Sequence, residues 1–368
     1  MLRNVQALRA VAALLVVFDH FNGELSYDAK ASTFFHAFRY IGNFGVDIFF
    51  AISGFIMLST TWEMFAKPGA TRTFLIRRIA RIYPPYWLVV APIVGTYLFA
   101  SHSMMKSHAG HSDILSSMLL LPQANTSLLI VSWTLVFEMF FYLVFAVIIG
   151  RERRWFLPSL GVWFVLQLAM SAVFVHSTNP YLGFLSQPLA IEFMLGTIVG
   201  YLYVHDRMPL AASVGTLGLA VTVAVWVASR SPGLVADLSK NDITRVLQFG
   251  IPAAMIVYGV VGLERRGTRI APGWSVHLGD ASYAIYLWHV PVTIVFGAVA
   301  WRLHVHGFIA DLLVQLATLA TIICVSLAVY RYFEVPVTRF FNARFARRER
   351  TNIGAAAAYP TLVERSAS

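Results

Sequence analysis

Cysteine and charge are both scarce in this sequence. Only one of its 368 residues is a cysteine, Cys324, so a disulfide framework and a cysteine-rich metal site are excluded. Charged residues make up 12% of the chain, whereas soluble domains usually carry about 25%. A chain with so little charge is neither an ordinary soluble enzyme nor a disordered polypeptide.

Apolar residues take the place of the missing charge. They form 58% of the chain, and 14% of all residues are aromatic. One or two globular cores could not bury these side chains beneath such a thin polar shell. With a mean hydropathy of +0.68, the composition indicates an integral membrane protein, and the net charge of +10 is no sign of nucleic-acid binding.

Ten runs of about 20 mostly apolar residues predict an all-α polytopic membrane protein with about ten transmembrane helices. The first run has a second interpretation as a secretory signal, because Arg3 and Arg9 precede an apolar segment. Asp19 and His20 interrupt that segment, which favours a retained helix. The runs lie at about 5–21, 41–62, 82–100, 128–149, 155–175, 185–204, 210–229, 246–263, 280–300 and 308–331.

The distribution of Lys and Arg predicts the orientation, because basic residues are retained on the cytoplasmic side. With the N-terminus inside, nineteen of the 28 basic residues fall in cytoplasmic segments and seven, including Arg245, in outer loops. The other two, Arg9 and Arg331, fall within helices. This split favours an even number of spans with both termini in the cytoplasm.

The chain shows no internal repeat and no room for a second domain. Residues 1–341 are predicted to form one transmembrane domain, and residues 342–368 a basic, disordered cytoplasmic tail. The longest outer loop, 101–127, carries three histidines, but no paired ligand spacing supports zinc, so no metal is expected. These histidines are His102, His108 and His111.

Ten ionisable side chains fall in the predicted helices or at their ends. Each costs at least about 2.5–3.5 kcal/mol in hydrocarbon, so their number predicts a polar cavity inside the helix bundle. Such a cavity serves a catalyst, a transporter or an ion pathway. The residues are Arg9, Asp19, His20, Asp47, Glu138, Glu192, Asp280, His289, Arg331 and Glu334.

Arg9 and His20 are eleven residues apart in the first predicted helix. Eleven steps of 100° end about 20° past three full turns, which places both side chains on one face, about 16 Å apart along the axis. An elongated anionic ligand lying along the helix would meet both groups. Alternatively, Arg9 reaches a lipid phosphate and His20 hydrogen-bonds a neighbouring helix; the spacing favours neither interpretation.

A cluster of arginines precedes the third predicted span. Arg77 and Arg81 share a helical face, and with Arg78 they are suited to bidentate binding of phosphate. A positive-inside anchor is the alternative, which the cluster alone favours. Pro84 and Pro85 predict a break in the backbone where the chain enters the membrane.

Small residues predict where helices approach each other closely. Ser53 and Gly54 lie in the middle of the second predicted span. Glu192 is followed by Gly196 and Gly200 at four-residue steps, which is typical of tight packing around one buried carboxylate.

Six blocks of this sequence, in order from residue 3 to about 340, resemble the acyltransferase-3 family of membrane O-acyltransferases. No single block is specific, but the ordered set is. The blocks are Arg9-x10-His20, NFGVDIFFAISGF at 43–55, RRIARIYP at 77–84, SWTLVFEMFFYL at 132–143, SYAIYLWH at 282–289 and EVP at 334–336.

Three positions depart from the family pattern. Thr134 replaces a serine, and Met139 stands where many members have a second carboxylate, so Glu138 is the only carboxylate of its block. Asp19 precedes the histidine, where an apolar residue is usual. The compact length, with no esterase-like domain attached, resembles the exopolysaccharide O-acetyltransferase branch.

The resemblance implies an O-acetyltransferase of the bacterial cytoplasmic (inner) membrane, embedded in membrane lipid. Its donor would be cytoplasmic acetyl-CoA, and its acceptor a sugar hydroxyl on an envelope polysaccharide, an exopolysaccharide or a lipid-linked precursor. Arg77, Arg78 and Arg81 are then expected to meet the phosphates of coenzyme A, and Arg9 its pantetheine arm. His20 is expected to be the general base, because imidazole titrates near the operating pH; transient acetylation of His20 is the alternative.

Three further residues are catalytic candidates. Glu138 is expected to orient an imidazole or to bind acceptor hydroxyls. His289 serves the same cavity or makes a helix-bridging hydrogen bond. For Asp47, a contact that fixes the second helix against the first is favoured over catalysis. Candidate substrate-binding residues are Trp133, Tyr142, Ser282, Tyr286 and Trp288, although interface anchoring is the default role of the two tryptophans.

Two other functions remain open at this point. A proton-coupled transporter also uses intramembrane Asp, Glu and His residues. The lack of an internal repeat and of matching Gly/Pro-broken helices weighs against it. Within the transferases, another acyl group or an amino acceptor is an alternative, since nothing in the sequence measures acyl length.

Overall fold

The computed structural model describes residues 2–24, 41–99, 113–229, 243–341 and 343–344. Within these ranges the chain is entirely helical and has no strand, as the sequence predicts. Helical π turns at Val246–Gly250 and Tyr330–Glu334 adjoin two of the helices. The helices are α1 (Arg3–Glu24), α2 (Phe44–Thr61), α3 (Ala70–Phe99), α4 (Ile114–Leu119), α5 (Trp133–Ile149), α6 (Phe156–Phe174), α7 (Pro180–Ser186), α8 (Ala190–Val204), α9 (Ala211–Ala228), α10 (Ile251–Arg265), α11 (Gly273–Asp280), α12 (Ser282–Arg302) and α13 (Phe308–Val329).

Eight helical segments of the described residues are long and apolar enough to cross a membrane. They contain α1, α2, α5, α6, α9, α10, α12 and α13, and a ninth results if α7 and α8, which meet at a 42° bend, count as one span. The remaining predicted run, 82–100, falls on α3. Each predicted run therefore coincides with a helix, whereas the number of ten spans and the cytoplasmic position of both termini stay predictions.

Two predicted segments fall largely outside the described residues. Of the tail, 342–368, the structure describes only residues 343 and 344. The three histidines of the long outer loop lie in the undescribed range 100–112. The division into one transmembrane domain and a disordered tail therefore stays a prediction.

The break predicted at Pro84 and Pro85 is wrong. Both prolines lie inside α3, a continuous helix of 30 residues. Each removes a helical N–H donor, but the neighbouring side chains tie this part of α3 to α4. Tyr83 Oη, Tyr86 Oη and Trp87 Nε1 donate to the carbonyls of Leu119 (2.8 Å), Ser117 (2.5 Å) and Met118 (2.9 Å). These contacts involve residues more than 30 positions away, and the local sequence rule does not include them.

The close packing predicted around the glycines is confirmed between α2 and α8. A Cβ atom built on Gly54 would lie 2.1 Å from the carbonyl oxygen of Phe193, and one on Gly196 would lie 2.1 Å from that of Ala51. Only glycine fits at such distances. α2 is consequently the most buried of the candidate spans, with 72% of its window inside the protein.

Helix α1 lies between α2, α11 and α12 and is anchored at its first turn. A Cβ on Gly45 of α2 would lie 2.3 Å from the carbonyl oxygen of Ala12. The carboxylate of Glu264, at the end of α10, accepts from the backbone N–H groups of Arg3 (2.6 Å) and Asn4 (2.8 Å), which α1 itself leaves unpaired. By contrast, α6, α9 and α13 are only 22%, 17% and 22% buried and form an apolar rim. The fold thus holds the residues of α1 inside the bundle.

Candidate active site

A central cavity lies between α1, α2, α3, α5 and α12. It holds about 790 Å³ of empty space, part of which is open to solvent. Its wall combines apolar side chains with both charged and uncharged polar groups. The polar lining consists of Arg9, Ser53, Arg78, Arg81, Thr134, Glu138, Tyr142, Ser282, Tyr283 and Tyr286.

Two further pockets adjoin the central cavity on different sides. The Arg77 pocket is lined by the first turns of α1, the last turns of α2 and the arginines of α3, and it shares Ile56, Arg78 and Arg81 with the central cavity. The His20 pocket shares Val46 and Tyr286 with the central cavity. The three pockets are therefore neighbours and form a series, with the arginines of α3 at one end and His20 at the other.

Arg9 and His20 both line this series, as their spacing on one helix face predicts. Arg9 is only 7% exposed and lines the central cavity, so it does not extend into lipid. His20 lines the His20 pocket, and its Nδ1 lies 2.9 Å from the carbonyl oxygen of Val16 on the same helix. Because a carbonyl can only accept, this contact requires the hydrogen on Nδ1, and in the neutral ring the lone pair is then on Nε2.

Glu138 is held by hydroxyl groups and not by an imidazole. Ser53 Oγ donates to Glu138 Oε1 over 3.0 Å, and the hydroxyl of Tyr142 donates to the same oxygen. Among the described residues, Glu138 makes no hydrogen bond to either His20 or His289. Of its two expected roles, the geometry favours contact with a bound molecule over orientation of an imidazole.

His289 lies beside His20 but outside the linings of the three pockets. The two rings are 4.8 Å apart between centroids and meet edge to face. His289 is fully buried, and its Nδ1 lies 3.2 Å from the carbonyl oxygen of Ile285. Its Nε2 has no hydrogen-bond partner among the described residues. The helix-bridging hydrogen bond expected for His289 is therefore absent from that part of the chain.

Asp47 forms a buried ion pair and lines none of the three pockets. Its two carboxylate oxygens accept from Nε and an Nη of Arg245 over 3.0 and 3.1 Å, and both side chains are almost completely buried. Arg245 was predicted in an outer loop; instead it lies in the helical turn Ile243–Arg245, where Asp47 compensates its charge. The expected contact of Asp47 with α1 is thus a contact with Arg245, and its catalytic role stays an untested prediction.

The arginines of α3 divide between the pockets. Arg78 and Arg81 line both the Arg77 pocket and the central cavity, whereas Arg77 lines only the former. The guanidinium of Arg78 lies 5.5 Å from the ring centre of Phe74 and 5.8 Å from that of Tyr142. Its Nε is buried and has no hydrogen-bond partner among the described residues, so it is available to an anion.

The candidate substrate-binding residues are also divided. Tyr142, Ser282 and Tyr286 line the central cavity, and Trp133 lines the His20 pocket. Trp288 lines neither of these pockets, and its indole N–H is buried without a partner among the described residues.

Sequence reasoning missed the partner of Arg9. Its Nη1 donates to Gln6 Oε1 over 3.1 Å, and Gln6 Nε2 donates to Asp280 Oδ1. Gln6 lies three residues before Arg9, a helical spacing that could have indicated the contact. The role of Asp280 depends on how α11 packs against α1, which no local pattern reveals.

The described residues include no group of three or more His, Cys, Asp or Glu side chains that could hold a metal ion. What this part of the chain offers is guanidinium groups at one end of the pocket series, an imidazole at the other and a hydroxyl-bound carboxylate between them. Such an arrangement can bind an anionic molecule and accept a proton from a second one.

Comparisons with known proteins show what the chain is similar to. The family described as "Acyltransferase domain" matches residues 2–331. Exopolysaccharide production protein ExoZ of Rhizobium meliloti is 32% identical over 311 residues, which cover 83% of this chain and 92% of that protein. Peptidoglycan O-acetyltransferase OatA of Listeria monocytogenes is 25% identical over 328 residues, or 78% of this chain and 49% of that protein. Putative membrane-bound transacylase BcsY of Komagataeibacter xylinus is 25% identical over 354 residues, or 89% and 81%. No solved structure matches the chain.

Proposed function

The chain belongs to the acyltransferase family that matches residues 2–331, and on that basis we propose that it transfers an acetyl group from cytoplasmic acetyl-CoA to a sugar hydroxyl of an exopolysaccharide or of its lipid-linked precursor. Family membership makes the chain an acyltransferase, and its apolar helices make it an integral, multi-pass membrane protein. The transporter interpretation is therefore set aside. We assign the protein to the bacterial cytoplasmic membrane, because its proposed donor is a cytoplasmic metabolite.

The Arg77 pocket is the proposed binding site for the phosphates of coenzyme A. Three arginines line it, and the buried Nε of Arg78 lacks a protein partner among the described residues. Guanidinium groups bind phosphate through paired, charge-assisted hydrogen bonds. From this pocket the pantetheine arm would extend past Arg9 into the central cavity, toward the imidazole of His20.

His20 is the proposed general base. The hydrogen on Nδ1 donates to the carbonyl of Val16, which leaves the Nε2 lone pair free to accept a proton. The acceptor hydroxyl gives its proton to Nε2 as its oxygen bonds to the thioester carbon. The carbon–sulfur bond then breaks, and the proton passes to the sulfur, so the products are the acetyl ester and the thiol of coenzyme A.

The acceptor would reach His20 from the side opposite the donor, through the His20 pocket. Trp133, Asp19 and Asn43 line this pocket, and such a combination suits a sugar, since an aromatic ring stacks on the sugar face and polar groups bind its hydroxyls. In the central cavity, Glu138 and Ser282 are placed to hold further hydroxyls. The names of ExoZ and OatA refer to saccharide polymers, exopolysaccharide and peptidoglycan, and support this class of acceptor.

The observation that carries the proposal is the sharing of lining side chains by the three pockets. Arg78 and Arg81 belong to two of them, and Tyr286 belongs to the central cavity and to the His20 pocket. This adjacency supports a thioester held at the arginines reaching the imidazole through the protein interior.

The test is acetyl transfer by the purified protein in lipid nanodiscs, with radiolabelled acetyl-CoA and envelope polysaccharide. Mass spectrometry of glycans from cells with and without the protein identifies the acetylated sugar. His20→Ala is expected to lower the transfer rate at least about 100-fold, the usual contribution of a general base.

His205→Ala is the matched control. Nδ1 of His205 makes the same kind of local contact, 2.8 Å from the carbonyl oxygen of Tyr201, but the side chain is exposed and lines none of the three pockets. The His205→Ala variant should transfer acetyl groups at the wild-type rate. Transfer by His20→Ala within tenfold of the wild type would remove His20 as the base, and a wild-type protein that acetylates no saccharide would refute the function.

A further inference from the structure

Among the described residues, no carboxylate pairs directly with the buried guanidinium of Arg9. Arg9 is 7% exposed. Its one hydrogen bond within that part of the chain goes from Nη1 to Oε1 of Gln6, at 3.1 Å. A buried guanidinium normally requires a partner of opposite charge, so this neutral contact needs an explanation.

Glu138 lines the same cavity as Arg9, and another carboxylate lies on the other side of the Gln6 amide. Gln6 is 3% exposed, and its Nε2 donates to Oδ1 of Asp280 at the end of α11. Gln6 therefore stands between a cation and an anion, with its oxygen toward the guanidinium and its nitrogen toward the carboxylate. Each hydrogen bond polarises the amide in the direction that strengthens the other.

This relay has a different effect from a direct ion pair. A carboxylate in contact with Arg9 would occupy two of its five N–H donors and cancel much of its field. The amide of Gln6 contacts only one nitrogen of the guanidinium. It also separates the carboxylate of Asp280 from Arg9, because the amide group lies between them. The rest of the guanidinium remains turned to the central cavity, which Arg9 lines.

We infer that Gln6 is a positioning residue for Arg9: its amide fixes the guanidinium toward the central cavity and leaves its charge available to the acyl donor. This inference rests on the proposed use of coenzyme A as donor and extends it to a residue that touches no substrate. Gln6 lines none of the three pockets, so changing it affects donor affinity indirectly, through contacts such as that with Arg9.

The test compares Gln6→Met with Gln315→Met. Methionine keeps the length of glutamine but makes neither hydrogen bond. Gln315 on α13 is 1% exposed, and neither polar atom of its amide has a partner among the described residues, so the same substitution there removes no such contact. Binding of coenzyme A to the purified protein is measured by calorimetry, and KM and kcat are measured for acetyl-CoA and acceptor.

Gln6→Met should weaken coenzyme A binding and raise the KM for acetyl-CoA about tenfold, with the KM for acceptor unchanged. Gln315→Met should match the wild type. Asp280→Asn keeps an oxygen that accepts from Gln6 but loses the charge, so it should change the donor KM less than Gln6→Met does.

Three results would overturn the inference. The first is equal coenzyme A binding by Gln6→Met and Gln315→Met, and the second is a larger loss in Asp280→Asn than in Gln6→Met. The third is a wild-type protein that binds no coenzyme A, which would refute the proposed donor as well. If the wild type binds coenzyme A but acetylates no saccharide, only the proposed function fails, because the binding comparison still decides the role of Gln6.

Discussion

Arg78 combines three properties, of which Arg81 shares only the last. Its guanidinium lies near the rings of Phe74 and Tyr142, its Nε is buried without a partner among the described residues, and it lines two adjoining pockets. The aromatic rings hold the cation in place without using its N–H donors. Those donors are thus kept for a ligand.

Arg78→Ala is therefore expected to raise the KM for acetyl-CoA about tenfold or more, since one charge-assisted hydrogen bond is worth about 1.5–3 kcal/mol. The KM for acceptor should stay within a factor of about two, because the proposed acceptor site is the His20 pocket, which Arg78 does not line. Steady-state kinetics with each substrate varied in turn measures both values.

Arg72→Ala is the control, because Arg72 is exposed on the same helix and lines a separate surface pocket. Its kinetics should match those of the wild type. A rise in acceptor KM alone in Arg78→Ala would contradict the placement of the donor at these arginines.

The orientation of a single residue could be predicted where it depends only on the periodicity of its own helix. The eleven-residue spacing of Arg9 and His20 is sufficient to place both on the side of α1 that lines the pockets. The partners of buried charges could not be predicted in this way. Arg245 pairs with a residue 198 positions away, and Asp280 contacts Gln6 across 274 positions, so each pairing depends on how distant helices pack.

At the scale of elements, the contact between α2 and α8 depends on positions that admit no side chain. Gly54 and Gly196 each bring the backbone of one helix against a carbonyl oxygen of the other. Small residues allow such close approach, and packing of this kind drives association of helices in membranes. Because Ser53, next to Gly54, donates to Glu138, this contact also bears on the site.

Gly54→Ala is expected to lower the stability of the protein by about 1–3 kcal/mol, the usual cost of overpacking. The added Cβ would lie 2.1 Å from a backbone oxygen, which cannot rotate away as a side chain does. Thermal unfolding in detergent, followed by intrinsic fluorescence, measures the fall in midpoint temperature.

Gly161→Ala provides the comparison on α6, where a Cβ meets nothing within 4 Å. Alanine is the better helix former, so this variant should be as stable as the wild type or slightly more so. Equal stability of the two alanine variants would show that α2 and α8 can separate at little cost.

The positions of the helices could be predicted from hydropathy alone, because each apolar run must satisfy its own backbone hydrogen bonds in lipid. The ends of helices and the breaks within them could be predicted less well from the sequence. Pro84 and Pro85 lie within α3, and the aromatic side chains around them bond to α4. The proline rule considers only the local sequence and includes no such contacts with a second helix.

At the scale of the whole molecule, the ion pair of Asp47 and Arg245 joins α2 to the turn before α10. Both side chains are almost fully buried, and a second carboxylate, Glu192, lies against Gly250 close by. A buried pair of this kind contributes little net stability, but the loss of one partner leaves an uncompensated charge. The pair therefore disfavours any arrangement of the helices that would separate Asp47 from Arg245.

A double-mutant cycle measures this constraint. Asp47→Leu and Arg245→Met should each destabilise the protein by about 3–5 kcal/mol, whereas the double variant should lose less than either single variant. Chemical denaturation in mixed micelles gives the three free energies of unfolding. Additive losses would mean that the two side chains act independently.

The arrangement of the three pockets is also a property of the whole molecule, and no sequence pattern predicts it. Five helices, α1, α2, α3, α5 and α12, line the central cavity, and they come from both ends of the chain. A polar cavity was expected from the number of intramembrane charges, but its connections depend on where those helices leave space.

The carboxylate at the first turn of α1 has a consequence for biosynthesis. Glu264 lies 261 residues after Arg3. When α1 has left the ribosome, most of the remaining chain must still be synthesised before this carboxylate can accept from the N–H groups of α1. Until then, the first N–H groups of α1 lack this acceptor, and the helix carries three ionisable side chains, Arg9, Asp19 and His20, without the neighbours that bury them, so the insertion machinery has to shelter it. A nascent chain that stalls before α10 is complete should accordingly be a preferred target of membrane quality-control proteases.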